Sequence, residues 1–199
     1  TYYIPEVNAV DTFSVSSTGV FPEKIVEMDK STFREIILDN DIRLNAWGGA
    51  LWKAWDNAYE NTNYAHSDNT NPIVFPAWFT FDLGEKALLK RFDLFSVVRD
   101  DLNYNGGNMK SWEIWGREDE PANSSWDGWT KLITCNSFKP SGKPVGENTD
   151  EDNAYIGKGE KFDFPSGIPE VRYIRIKVLD SWSGQGYVQF SEFTFYKSE

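Results

Sequence analysis

The chain has 199 residues, enough for one domain with a sizeable core or for one domain plus an extension. Its formal net charge of -11 argues against nucleic acid or an anionic membrane surface as the partner, because a surface of this sign repels phosphate groups. The single cysteine, Cys135, excludes an internal disulfide and is expected to be a small buried side chain. The sequence contains no run of ~18 apolar residues, so no membrane-spanning helix is predicted.

Aromatic residues make up 16% of the chain, and asparagine, glycine and serine crowd the segments between them. No amphipathic helix of ordinary length is visible. This composition predicts an all-β protein with long loops.

The first 29 residues mix isolated hydrophobic residues with serine, threonine and proline. We interpret residues 1–29 as an N-terminal extension or the remnant of a preceding module. The chain begins at Thr1 rather than at methionine, so we expect it to be part of a longer multi-domain chain. No repeat or later boundary divides residues 30–199, which we interpret as one domain.

A strand-like run at residues 33–38 is followed by a long aromatic and polar segment up to Ser67. That segment is too interrupted for one regular element, although a short helical turn is expected around Leu51 to Trp55. Long ordered loops in compact domains are usually functional or structurally anchored. Regular strand patterns then follow at residues 78–84, 89–98, 110–116 and 129–134, and residues 136–161 are expected to be an extended surface excursion.

Two strong strand patterns close the chain, at residues 171–179 and 188–196. Ile174, Ile176 and Val178 fall on one face of the first, which is therefore expected to face the core. Glycines between the two runs suggest that the chain reverses there, and we predict that the two strands close one antiparallel sheet. Glu192 lies inside the second, apolar run, and a carboxylate buried there needs a partner.

Five segments in order carry a resemblance to a known family: D-N-A-Y-E-N-T-N-Y-A-H-S, P-A-W-F-T-F-D-L-G, K-S-W-E-I-W-G, V-R-Y-I-R-I-K-V-L and S-E-F-T-F-Y. Together they resemble the discoidin, or coagulation-factor type C, family of galactose-binding-like domains, over roughly residues 30–197. The resemblance implies an all-β antiparallel jelly-roll sandwich of about eight core strands, with ligands bound by loops at one end. Similar modules occur in surface lipoproteins and secreted glycan-degrading systems of gut bacteria.

The family often holds a structural calcium ion, and its ligands carry over to Asp56, Thr62 and Glu192 of this sequence. Calcium takes six to eight oxygen ligands, which a polar loop clamped by a strand carboxylate can supply. Asn57 stands where the family has a glycine, and the spacing from Asp56 to Thr62 is one residue longer than usual. In the alternative interpretation, Asp56 caps a turn and Glu192 pairs with an arginine or lysine.

The resemblance also implies a glycan-binding site, carried over to His66, Arg99, Trp182, Tyr187, Tyr104, Asn105 and Trp47. Aromatic rings stack on the C–H face of a sugar, while an imidazole and a guanidinium bond its hydroxyls in fixed directions. The alternatives are that His66 is a structural hydrogen-bonding residue and that Arg99 only pairs with Asp100 or Asp101.

No nucleophile elbow, zinc-protease motif or phosphate-binding glycine loop is present, and the chain has one histidine. We therefore predict a non-catalytic carbohydrate-binding module that is extracellular or at the cell surface, secreted or lipid-anchored through a segment not present here. The alternative is a protein-interaction or spacer domain of a larger cell-surface protein, without a sugar site of its own.

Overall fold

A computed structural model describes residues 24–59 and 62–199 of the chain. Within those residues it shows eleven β-strands and one α-helix. The elements are β1 (Ile25–Glu27), β2 (Arg34–Ile36), β3 (Ala65–His66), β4 (Ala77–Ala87), β5 (Leu89–Phe95), β6 (Met109–Arg117), β7 (Thr130–Asn136), α1 (Asp150–Ile156), β8 (Glu160–Asp163), β9 (Val171–Ser181), β10 (Gln189–Phe190) and β11 (Glu192–Ser198).

The strands form two antiparallel sheets that pack into a sandwich. The four-stranded sheet has the order β1-β11-β5-β8, and the five-stranded sheet has the order β2-β4-β9-β6-β7. Strands β3 and β10 form a separate two-stranded ribbon. The all-β sandwich expected from the sequence is therefore confirmed.

Phenylalanine rings fill the space between the two sheets. Phe81 from β4 and Phe195 from β11 lie 5.9 Å apart between ring centroids, so they join the sheets directly. Phe33 and Phe92 pack against Phe195 from either side. Burying an aromatic ring of this size contributes roughly 2–3 kcal/mol, and the core supplies most of the driving force for folding.

The alternation of apolar and polar residues in strand β9 corresponds to its two faces, one in the core and one covered by a loop. Ile174, Ile176 and Val178 are all fully buried in the core, as predicted. Arg175 is also fully buried, although it lies on the opposite face. Its guanidinium is held 4.7 Å and 4.4 Å from the ring centroids of Trp126 and Trp129, because the segment before β7 folds back over the outer face of the sheet.

The predicted pairing of the last two long strands is wrong. Strand β9 pairs with β4 and β6, whereas β11 pairs with β1 and β5 in the other sheet. The connection between them crosses from one sheet to the other through the short strand β10. The alternation of apolar and polar residues indicates which face of a strand is buried. It carries no information about which strand pairs with it.

The described part of the sandwich begins before residue 30. Strand β1 pairs with β11, with Ile25 opposite Ser198, so residues that we assigned to the extension 1–29 belong to a sheet. The remainder of that extension, residues 1–23, lies outside the described residues.

Two short helical features lie outside the sheets. The turn expected around Leu51 to Trp55 is confirmed as a 3-10 helix. Helix α1 interrupts the predicted surface excursion and begins at a capping box between Thr149 and Asp152. At seven residues it is too short to show a helical period in the sequence. None of the helices in the described segments is long and apolar enough to cross a membrane.

Candidate ligand-binding site

A cleft of about 350 Å³ opens where the loop after β5 meets the β3–β10 ribbon and the loop before β3. Its wall combines aromatic rings, hydrogen-bonding groups and two aliphatic side chains. The lining residues are Trp47, Tyr64, His66, Asn69, Val97, Arg99, Leu102, Tyr187 and Gln189.

His66 presents a neutral imidazole to this cleft. Its Nδ1 contacts the carbonyl oxygen of Ser67, and a carbonyl only accepts, so Nδ1 carries the hydrogen. Burial lowers the pKa of His66 below its ordinary value of 6.5, against the opposing effects of the Ser67 carbonyl and the Asp68 charge. At neutral pH the Nε2 atom therefore keeps its lone pair and can accept a hydrogen bond.

Tyr187 forms the floor beneath His66. The two rings stack with centroids 5.3 Å apart and planes inclined by 22°. Tyr187 reaches this position only because Gly107 has no side chain, since a Cβ there would lie 2.4 Å from Tyr187 Cδ2. Such a contact is far below van der Waals distance, so the glycine is required for the stack.

Arg99 stands at the exposed edge of the cleft with its charge already paired. Its Nε and Nη2 donate to the two carboxylate oxygens of Asp101 at 2.6 Å and 2.9 Å. This bidentate pair raises the pKa of Arg99 above its usual range and leaves Nη1 as a donor. Arg99 therefore pairs with Asp101, as in the alternative interpretation, and also lines the cleft.

Trp47 is the most exposed aromatic residue of the cleft, at 61%. Its backbone adopts the left-handed conformation, with φ 56° and ψ 33°, which is uncommon for a residue other than glycine. The indole Nε1 donates to Asn69 Oδ1 at 2.9 Å, and the Tyr64 hydroxyl donates to the Trp47 carbonyl at 3.0 Å. A large apolar ring is thus held in place at the rim with its surface open to solvent.

Gln189 contributes a buried donor. It lies opposite His66 in the β3–β10 ribbon and is only 3% exposed. Its Nε2 is buried and has no hydrogen-bond partner within residues 24–59 and 62–199. An unpaired buried amide is costly, and polar groups in this state are often completed by a ligand or by water.

Three predicted ligand residues do not line the cleft. Trp182 packs edge-to-face on Tyr104 with centroids 5.1 Å apart, and its Nε1 donates to Ser137 Oγ at 3.2 Å. Tyr104 is fully buried and donates to the Phe138 carbonyl at 3.0 Å. Asn105 donates through Nδ2 to the Asp101 carbonyl within its own loop. The structure therefore brings together His66, Arg99, Tyr187 and Trp47, and it places the other three outside the cleft wall.

The three predicted calcium ligands have different surroundings: one is buried beside a lysine, and two are exposed. Glu192 is fully buried, and its Oε1 accepts from Lys30 Nζ at 2.6 Å. Burial raises the pKa of Glu192, and the Lys30 ammonium opposes that rise. Asp56 and Thr62 are exposed, and Asp56 Oδ1 accepts from the Ala58 amide in its own turn. Where the structure describes the chain, no group of three or more His, Cys, Asp or Glu side chains is arranged to hold a metal.

Comparison with known proteins places this fold in a family. The model of the family DUF5000, described as a domain of unknown function, matches residues 55–197. The chain belongs to this family. A SusE-like protein of known structure is 42% identical to the chain, with a TM-score of 0.83, over 89% of this chain and 68% of the other. No curated protein matches.

More distant structures share the fold with this DUF5000 chain. One is the domain CBM32-3 of a family 31 glycoside hydrolase from Clostridium perfringens, with 17% identity and a TM-score of 0.61 over 86% of this chain and 95% of that one. Another is the family 32 carbohydrate-binding module of NanJ from the same organism, solved with galactose. It has 12% identity and a TM-score of 0.59, over 87% and 100% of the two chains. The galactose-binding-like sandwich suggested by the sequence is confirmed.

Sequence reasoning missed five residues of the cleft in this DUF5000 chain: Tyr64, Asn69, Val97, Leu102 and Gln189. A signal existed for Gln189, because it lies two positions after Tyr187 and so shares a face with it if the strand begins early. Val97 and Leu102 read as ordinary hydrophobic residues, and their place in the wall depends on how the loop folds.

Proposed function

We propose that the chain is a non-catalytic carbohydrate-binding module that acts outside the cell or at its surface and holds a neutral sugar in this cleft. The observation that carries the proposal is Gln189, a cleft residue opposite His66 in the β3–β10 ribbon, whose buried Nε2 has no partner among the described residues. A sugar hydroxyl donates and accepts at once, so adjacent donors and acceptors suit it.

The remaining wall supports the same assignment. Trp47 offers an exposed ring for stacking against the C–H face of a pyranose, and Arg99 Nη1 adds a second donor. A concave cluster of aromatic and polar groups is typical of a small-molecule site, whereas a protein-interaction surface needs a broad apolar patch.

The charge of the cleft favours a neutral sugar over an acidic one. Asp101 neutralises Arg99 in a bidentate pair, and His66 is uncharged at neutral pH. The whole chain carries a formal net charge of -11, so the field around the cleft repels carboxylates and sulfates. We expect a sialic acid or a uronic acid to bind more weakly than its neutral counterpart.

The test is calorimetric titration with galactose, N-acetylgalactosamine and galacturonic acid. The first two sugars are chosen because fold relatives were solved with galactose and with GalNAc-β-1,3-galactose. We expect dissociation constants between about 1 μM and 1 mM for the neutral sugars, since a shallow site buries few groups. Absence of detectable binding to every glycan of a wider neutral panel would refute the proposal.

Two variants locate the site. We expect Trp47→Ala to weaken binding about tenfold, or ~1.4 kcal/mol, through loss of the stacking surface. Gln189→Met removes the unpaired donor and should weaken binding at least as much without lowering thermal stability, because Nε2 has no hydrogen-bond partner to lose among the described residues.

Trp52→Ala is the matched control. Trp52 is 54% exposed, close to the exposure of Trp47, but it does not line the cleft. Its loss should leave the affinity unchanged. Equal weakening by both tryptophan substitutions would show that the sugar does not bind in this cleft.

A further inference from the structure

Glu192, the first residue of the last strand, carries a carboxylate that is completely buried. Its side chain is 0% exposed. Oε1 accepts from Lys30 Nζ at 2.6 Å and from the Asn57 amide N–H at 3.2 Å. Oε2 is buried without a hydrogen-bond partner in the described parts of the chain. An ionised carboxylate in this state is strongly stabilised by a cation beside it.

Lys30 supplies that cation from the other end of the chain. It lies in a short 3-10 helix, Lys30–Thr32, which Asp29 caps by accepting from the Ser31 amide. Its side chain is only 4% exposed. Besides Glu192, the ammonium donates to Asn57 Oδ1 at 2.9 Å and lies 3.8 Å from Glu27 Oε1. The ammonium thus donates two hydrogen bonds, and the Glu27 carboxylate adds a nearby negative charge.

We infer that the Lys30 ammonium is the resident cation of this site and replaces the calcium ion that the sequence suggests. It neutralises Glu192 and ties the segment before β2 and the turn at Asn57 to strand β11. We therefore expect folding of this chain not to require a calcium ion at Glu192.

The donor set favours an ammonium over calcium. Calcium takes six to eight oxygens at 2.3–2.6 Å. Among the described residues, the three oxygens just named lie within 4 Å of the Lys30 ammonium. Asp56 is turned to solvent, and its Oδ1 already accepts from the Ala58 amide and from Asn63 Nδ2. A divalent ion bound to Glu192 Oε1 would also stand beside the Lys30 charge, and like charges at that separation repel strongly.

The first experiment compares the thermal unfolding of the intact protein in EDTA with its unfolding in excess calcium. We expect the two midpoints to agree within about 1 °C, because a ligand that does not bind the folded state gives no stabilisation. A calorimetric titration with calcium chloride should show no saturable heat. A midpoint that calcium raises and EDTA lowers would overturn the inference.

The second experiment removes the ammonium. Lys30→Met leaves Glu192 buried and unpaired, and we expect the unfolding midpoint to fall by about 10 °C. The double variant Lys30→Met with Glu192→Leu removes both charges and should recover most of that loss. This recovery keeps the inference testable even if the single variant does not fold, and its absence would count against the ion pair.

The control is Lys24→Met, which breaks the ion pair between Lys24 and Glu199 at 2.5 Å. These side chains are 69% and 55% exposed, so the pair is similar in length but surrounded by water. We expect a change below about 2 °C. If Lys30→Met is no more harmful than Lys24→Met, the Lys30 ammonium does not hold the site together.

Discussion

The chemistry of the cleft depends on the protonation state of a few side chains. His66 offers Nε2 as an acceptor because Nδ1 is engaged by the Ser67 carbonyl. The amide nitrogen of Gln189 has no partner among the described residues. Arg99 adds directional donors without adding net charge, since Asp101 balances it. We propose that these groups bind the hydroxyls of a sugar ring, which both donate and accept.

We predict that His66 titrates below pH 6.5, because burial disfavours its charged form. The unfolded chain then binds more protons than the folded one just below pH 6.5. The contribution of His66 to stability is therefore present above that pH and is lost as the pH falls towards the folded pKa. Protonation of the folded protein also converts the Nε2 acceptor into a donor, so sugar affinity should fall as the pH passes through the folded pKa of His66.

The measurement is direct because the chain has a single histidine and therefore a single imidazole Cε1–H signal in the NMR spectrum. Its chemical shift is followed from about pH 4 to pH 8, a range that brackets ordinary histidine titration. A midpoint above 6.5 would contradict both the buried neutral imidazole and its role as acceptor.

At the scale of elements, the loop from Ser96 to Asn108 positions one wall of the cleft. Asn108 is fully buried and closes the loop with its amide. Its Oδ1 accepts from the Val97 amide at 3.0 Å, and its Nδ2 donates to the carbonyls of Val97 and Leu102 at 2.9 Å each. Three hydrogen bonds from one side chain thereby fix the conformation of the loop that carries Arg99.

We predict that Asn108→Ala destabilises the protein by about 2–4 kcal/mol, because it leaves buried backbone groups without partners. Sugar affinity should fall as well, since Val97, Leu102 and Arg99 lose their fixed positions. Urea unfolding and calorimetric titration measure the two effects.

The control for this loop is Asn123→Ala. Asn123 Oδ1 also accepts a hydrogen bond within its own loop, from the Ser125 amide. Asn123 is exposed, however, and it does not line the cleft. Its replacement should change stability by less than about 0.5 kcal/mol and leave affinity alone. An Asn108→Ala protein that binds sugar normally would show that the loop does not need this clamp.

At the scale of the whole molecule, the two sheets are held together by a continuous aromatic core that is separate from the cleft. Phe195 is fully buried and contacts rings from both layers, including Phe81 and Phe92. It does not line the cleft. The fold therefore supplies a rigid support, and the loops and the short β3–β10 ribbon supply the contacts.

We predict that Phe195→Ala lowers the free energy of unfolding by about 3–5 kcal/mol, through lost burial and the cavity left behind. The protein that remains folded should bind sugar with unchanged affinity. Phe138→Ala is the control, because Phe138 is 57% exposed and its loss should cost little. A loss of affinity in Phe195→Ala at temperatures where it is fully folded would mean that the core and the cleft are coupled.

The sequence alone determined the fold class and part of the cleft. Alternation in β9 identified the faces of the strand, and ordered motifs led to His66, Arg99, Tyr187 and Trp47. These signals are local, because side chains alternate along a strand whatever lies beside it, and motifs retain their order along the chain. The same signals misplaced Trp182, whose ring packs on Tyr104 instead of facing the cleft.

Only the tertiary structure decided which distant residues meet. It separated β9 and β11 into different sheets, set the unpaired amide of Gln189 beside His66, and joined Lys30 to Glu192 across 162 positions of sequence. No local pattern encodes such contacts, because the free energy of a buried charge or amide depends on the groups that the whole fold brings within a few ångströms. We propose that the choice between a metal and an ammonium at Glu192 is of this kind, because one lysine side chain supplies a cation there.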